Sequence, residues 1–136
     1  MKQARQLLTH IPERPAKPRK EGLTMVMDKG LSLREAEDFA EVGSGYVDFV
    51  KLGFGTSVIT PGVDRKIKTY HDAGMTVYFG GTLFEAFIIR GLYGEYVDML
   101  RDAGVKMVEI SDGSYEFDHS EKLDYIRKLS RDFTVI

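Results

Sequence analysis

Four short segments of the 136-residue sequence end in residues able to do chemistry: 28–30 (Asp28, Lys29, Gly30), 51–57 (Lys51 through Ser57), 80–82 (Gly80, Gly81, Thr82) and 109–114 (Glu109 through Ser114). Lys29 and Lys51 offer cations. The glycine turns and a helix start at Thr82 offer backbone N–H groups, so together they could hold an anion. Asp28, Glu85, Glu109 and Asp112 are hard oxygen donors, a ligand type that suits Mg²⁺ and not zinc. Taken singly, each segment reads as an ordinary turn between a strand and a helix. Lys51 and Glu109, however, close strands that are otherwise apolar, where a charge needs a partner, a metal or a ligand. Three scattered histidines (His10, His71, His119) and no cysteine give no support to a zinc site or a Ser/His triad.

The elements that must position these groups follow from hydrophobic spacing. Apolar runs at 23–27, 47–52, 76–79, 106–110 and 133–136 read as strands. Ser32 and Glu35 form a capping box that opens a helix with Leu33, Ala36, Phe39 and Ala40 on one face, stopped at Gly43. Val63, Ile67 and Tyr70 give a second helix its stripe, stopped at Gly74. Thr82 and Glu85 read as a second capping box, opening a short helix to about Arg90. A further helix carries Tyr93, Tyr96, Val97 and Leu100 and ends at Gly104. Ser120 is the expected cap of the last, whose inward residues are Leu123, Ile126 and Leu129.

A repeat underlies the alternation. Residues 71–78 resemble 101–108, with a shorter echo at 131–136, and Asp72, Asp102 and Asp132 fall thirty residues apart. Thirty residues is about one strand–helix step with a right-handed crossover. Near-continuous apolar strands under amphipathic helices predict a parallel sheet. Equal steps with polar residues gathered after each strand favour a (β/α)8 barrel over a doubly wound sheet, and no G-x-G-x-x-G follows the first strand. Residues 1–22 stand apart, with six basic residues against two acidic and prolines at 12, 15 and 18. They read as an extended N-terminal arm, and residues 23–136 as the barrel portion. The arm has no interleaved aromatics and the remainder is acidic, so nucleic acid is not an expected partner. With no cysteine, no apolar run near 18 residues and no secretory leader, a cytoplasmic protein is expected and a membrane partner is not.

Residues 26–30, 48–57, 78–85 and 108–114 closely resemble, in order, motifs of the phosphosulfolactate synthase family, and the likeness runs from about residue 21 to 136. The resemblance implies a TIM-barrel lyase that adds sulfite to phosphoenolpyruvate with Mg²⁺ as cofactor, giving phosphosulfolactate. In methanogens that step opens coenzyme M synthesis. Bacterial members and stress-associated plant proteins also belong, so a non-catalytic member or gene remnant acting through protein contacts is the alternative. On this reading Lys51 and Lys29 hold the substrate anions. Glu109, Asp112 and Glu85 (or Asp28) hold Mg²⁺, while Asp28, Gly80, Gly81, Thr82, Ser111 and Gly113 line the substrate. The resemblance also places a lysine proton donor beyond the fifth strand. A barrel needs eight units and roughly 250 residues. This chain is therefore expected to supply about four units and the start of a fifth strand, to hold a partial site that does not turn over alone, and to self-associate through uncovered strands.

Overall fold

The structure, a computed structural model, describes residue 10 and residues 12–136. Five strands alternate with helices in chain order: β1 (Met25–Asp28), α1 (Leu33–Gly43), β2 (Phe49–Leu52), a 3-10 segment (Gly53–Val58), α2 (Val63–Asp72), β3 (Thr76–Phe79), α3 (Gly81–Ile88), α4 (Tyr93–Asp102), β4 (Met107–Val108), α5 (His119–Leu129) and β5 (Thr134–Val135). All pairings are parallel and the spatial order β1-β2-β3-β4-β5 repeats the sequence order. Right-handed crossovers that always step the same way put every helix on one face of the sheet. The expected parallel α/β architecture is therefore present.

Pleating divides each strand between the two faces. Val50, Leu52, Val77, Phe79 and Val108, each at most 3% exposed, point into the helices and meet Ala36, Ile67, Tyr70, Phe84, Tyr96 and Leu100 there. Met25, Met27, Phe49, Lys51, Thr76, Tyr78, Met107 and Glu109 alternate onto the other face.

Some boundaries differ from the sequence reading, each for a physical reason. The first ladder starts at Met25, because the Thr24 N–H donates to the Asp48 carboxylate and its carbonyl accepts from Asp48 and Phe49. Ser32 and Glu35 do form the capping box of α1. Thr82 and Glu85 do not form one: Gly80, in extended conformation, takes the N-cap of α3, so the helix is already a turn old at Glu85. Asp118 rather than Ser120 occupies the N-cap of α5. The rim stretch after β2 forms two short helical turns joined by a kink at Phe54 and Gly55.

Residues 14–19 are anchored to the residues around β2. Arg19 Nη1 lies 2.8 Å from Asp48 Oδ1, with both side chains nearly enclosed. Lys17 Nζ donates to the carbonyls of Ser44 and Val47 at 2.9 and 2.6 Å. Burial would raise the Asp48 pKa, but the Thr24 N–H, Arg19 and Arg14 outweigh it and hold the carboxyl below its ordinary value. Lys2 and Arg5 lie outside the described residues. Among those described, no helix is long and apolar enough to cross a membrane.

Candidate functional site

The site begins with Lys51 on β2 and Glu109 just past β4, which meet across β3. Lys51 Nζ donates to Glu109 Oε1 at 2.8 Å and stands 2.6 Å from Oε2, with side chains 18% and 22% exposed. The second approach lacks hydrogen-bond geometry, so Oε2 is a buried carboxylate oxygen with no hydrogen-bond partner among the described residues. Tyr78, level with Lys51 on the neighbouring strand, forms the floor. Burial, and then the charge of Glu109, push its phenol up to about 12, so it stays a protonated donor.

Two glycines make this meeting possible. A Cβ on Gly80 would stand 2.8 Å from Lys51 Cε and 3.2 Å from the Leu52 carbonyl. One on Gly81 would stand 2.5 Å from Ser111 Cβ and 3.3 Å from Glu109 Oε1. Gly80 and Gly81 are thus clearance residues at the start of α3, where free N–H groups and the helix dipole favour an anion. Thr82 follows in the same turn and caps nothing.

Glu85 and Asp28, expected as metal or substrate ligands, are engaged in holding loops. Glu85, only 3% exposed, accepts from the Ser111 hydroxyl, from Gly113 N at 3.1 Å and from Ser114 N at 2.7 Å. It thereby ties the 111–114 loop to α3. Asp28 Oδ1 accepts from Gly30 N and Leu31 N, both at 2.8 Å. Its Oδ2 accepts from Tyr70 Oη at 2.9 Å and pairs with Lys66 Nζ at the same distance. Each carboxylate thus pins two backbone amides of the rim loop it serves.

Asp112 lies apart from the centre, paired with Lys122 at 2.7 Å on the surface. The hydrogen bond from Lys122 is the chief reason its carboxyl is held below the ordinary value. Among the described residues no three His, Asp or Glu side chains form a group able to hold a metal, so Glu109, Asp112 and Glu85 do not make a joint cage. Lys29 is exposed at the rim, its Nζ 5.8 Å from the centre of the Phe54 ring.

Lys66 and Tyr78, which the structure places beside these groups, are absent from the sequence expectations. Lys66 lies three after Val63 and four before Tyr70, which places it on the inward stripe of α2. That spacing was the available signal.

A parallel sheet with all its helices on one face, and lysine, carboxylate and glycine turns gathered at its carboxyl rim, defines an α/β protein of the type that places its ligand sites at its strand ends. The sequence model of (2R)-phospho-3-sulfolactate synthase (ComA) matches residues 12–136, and the chain belongs to this family of lyase-type enzymes. It is 36% identical over 126 residues to the phosphosulfolactate synthase of Bacillus subtilis (strain 168), covering 93% of this chain and 50% of that protein. It is 42% identical over 109 residues to that of Methanocaldococcus jannaschii, covering 79% and 43%. The protein of the same name from Methanothermobacter thermautotrophicus is 41% identical over 113 residues, covering 82% and 44%. The chain spans about half the length of these relatives.

Proposed function

We propose that these residues form part of the site of a phosphosulfolactate synthase of (β/α)8 barrel fold, acting in the cytoplasm, that adds sulfite to phosphoenolpyruvate. The observation that carries this reading is the Lys51–Glu109 pair, enclosed on the open face of the sheet with two glycines cleared away around it. Both substrates are anions that repel one another, so a site that joins them must supply positive charge. Lys51 holds one of them by exchanging its bond to Glu109 for a bond to the substrate.

The sulfite sulfur donates its lone pair to the methylene carbon, forming the C–S bond. The π pair of the C=C moves towards the carboxylate, and the adjacent carbon then takes a proton. Tyr78 stays protonated beside Lys51 and presents a hydroxyl donor to the substrate. The first turn of α3 aims backbone N–H groups at the same place, where negative charge grows. For Mg²⁺, the fit is through one carboxylate: Glu109, whose Oε2 is engaged only by the Lys51 ammonium at 2.6 Å and is released when Lys51 turns to the substrate, matches an ion held by one or two carboxylates, substrate oxygens and water. The chemistry Mg²⁺ supplies when bound is stabilisation of the charge that develops on the substrate carboxylate. On this reading the 136 residues alone bind substrate and do not turn over, the rest of the site being carried on further barrel units.

The test is calorimetric titration of the chain with phosphoenolpyruvate in Mg²⁺, together with an assay for sulfite-dependent product. The expected outcome is binding that Lys51→Met weakens at least about tenfold, the scale of one charged hydrogen bond. Unchanged binding in that variant, or turnover of a carboxylate substrate without sulfite, would overturn the reading.

A further inference from the structure

Phe54 has a backbone suited to glycine. Its φ of 54° and ψ of 26° lie in the left-handed region, and Gly55 follows at φ 69° and ψ 8°. An aromatic side chain there is a conformational outlier. Burial does not offset the strain, because the residue is 61% exposed.

The backbone around it is fixed by its neighbours. A Cβ on Gly53 would meet the Met27 side chain at 2.7 Å. Thr56 Oγ1 donates to the Gly53 carbonyl at 2.8 Å, and Thr60 Oγ1 donates to the Thr56 carbonyl at 2.7 Å. Lys29 is equally constrained at its backbone, since Asp28 grips the two amides that follow it. Two rigid turns therefore present a cation and an aromatic face to each other at the rim, 5.8 Å apart. Among the described residues Lys29 makes no ion pair, so its charge is available to an incoming anion.

We propose that Phe54 and Lys29 act as one clamp for the unsaturated phosphorylated acid: the ring seats the ammonium against the anion. This rests on the proposed function above. Strained backbone at an exposed position is what a binding role accounts for and a packing role does not.

The experiment compares Phe54→Gly, Phe54→Tyr and Lys29→Met in thermal melts and in titrations with phosphoenolpyruvate. Phe54→Gly is expected to melt at or above the parent's temperature, because glycine relieves the left-handed strain. It is also expected to bind phosphoenolpyruvate about two- to fivefold more weakly, the loss of one cation–π contact. Phe54→Tyr keeps the parent's affinity, and Phe54→Gly adds little to Lys29→Met, since the two act together. A Phe54→Gly variant that binds like the parent, or that melts several degrees lower, overturns the clamp and leaves the proposed function standing. A parent that does not bind phosphoenolpyruvate overturns both.

Discussion

The Lys66 ammonium and the Asp28 carboxylate face each other at 2.9 Å, both side chains 2% exposed, beneath the turn that carries Lys29. A pair so enclosed is stable only while both members are present, because either one alone is an uncompensated buried charge. Lys66 Nζ also donates to the Leu31 carbonyl at 2.8 Å, so it supports the same turn from below. Lys66→Met is expected to destabilise the fold by about 3–5 kcal/mol. Adding Asp28→Asn should recover part of that loss, and urea titration of the single and double variants checks both.

The same carboxylate sets an acid limit. Burial would raise the Asp28 pKa, but donors from Lys66, Leu31, Gly30 and Tyr70 outweigh it and hold the carboxyl below its ordinary value. A depressed folded pKa contributes stability that is present above the unfolded value, near 3.9, and lost as pH falls through the folded one. Asp48 is depressed too and adds in the same direction. Stability measured by urea should therefore be level above about pH 5 and decline below about pH 4. The decline should be shallower in Asp28→Asn; an equally steep one would show that Asp28 is not responsible.

Gly81→Ala places a methyl 2.5 Å from Ser111 Cβ and 2.6 Å from its Oγ, and must push the 111–114 loop or α3 aside. Substrate affinity should fall at least about tenfold, with destabilisation of about 1–3 kcal/mol from overpacking. Gly94→Ala is the matched control: it lies in α4 with nothing within 4 Å of the added methyl. It should bind normally and be more stable by about 0.5 kcal/mol. Melting curves and titrations of the two variants separate clearance at the site from a general intolerance of side chains.

Glu85 satisfies three donors of the loop after β4 with one carboxylate. Glu85→Gln leaves a single accepting oxygen and brings a competing N–H₂, at a cost of about 1–3 kcal/mol. Hydrogen exchange should quicken selectively at the Gly113 and Ser114 amides, and Mg²⁺ should not restore their protection. Restoration by Mg²⁺ would return Glu85 to the metal ligands.

Much of this arrangement can be read from the chain before folding. The thirty-residue spacing of Asp72, Asp102 and Asp132 foretells strand–helix steps, and Ser32 with Glu35 foretells the start of α1. The segments holding Lys51, Glu109, Gly80, Gly81 and Ser111 foretell the rim. What is hidden depends on long-range pairing. Thr82 and Glu85 repeat the Ser32 and Glu35 pattern, yet Gly80 starts the helix earlier and Glu85 is drawn to Ser111. A run of rim carboxylates resembles a metal cage until Lys66 and Lys122 claim Asp28 and Asp112. Left-handed backbone at Phe54 has no signature in residue type, because phenylalanine normally avoids it.

The face opposite the helices is uncovered at its margin. Leu23 and Met25 are 48% exposed, Met27 36% and Ile136 52%, beside the edge strands β1 and β5. Edges with unpaired backbone groups next to apolar side chains pair with other chains. The 136-residue chain is accordingly expected to self-associate. Light scattering across a dilution series should report a mass above 15.4 kDa, the monomer value, and a monomer at all concentrations would refute it.

Because, among the described residues, each strand hydrogen-bonds only to those adjacent to it in the sequence, these five strands can be assembled in the order in which a ribosome releases them. β2 finds β1 already emerged, β3 finds β2, and the same holds through β5. Closing contacts span about one repeat at most, which keeps the entropic cost of each addition similar to the last. Rim residues from β1 and β2 are then set in place early in synthesis, and the Lys51–Glu109 bond is the first link across the site to wait for β4.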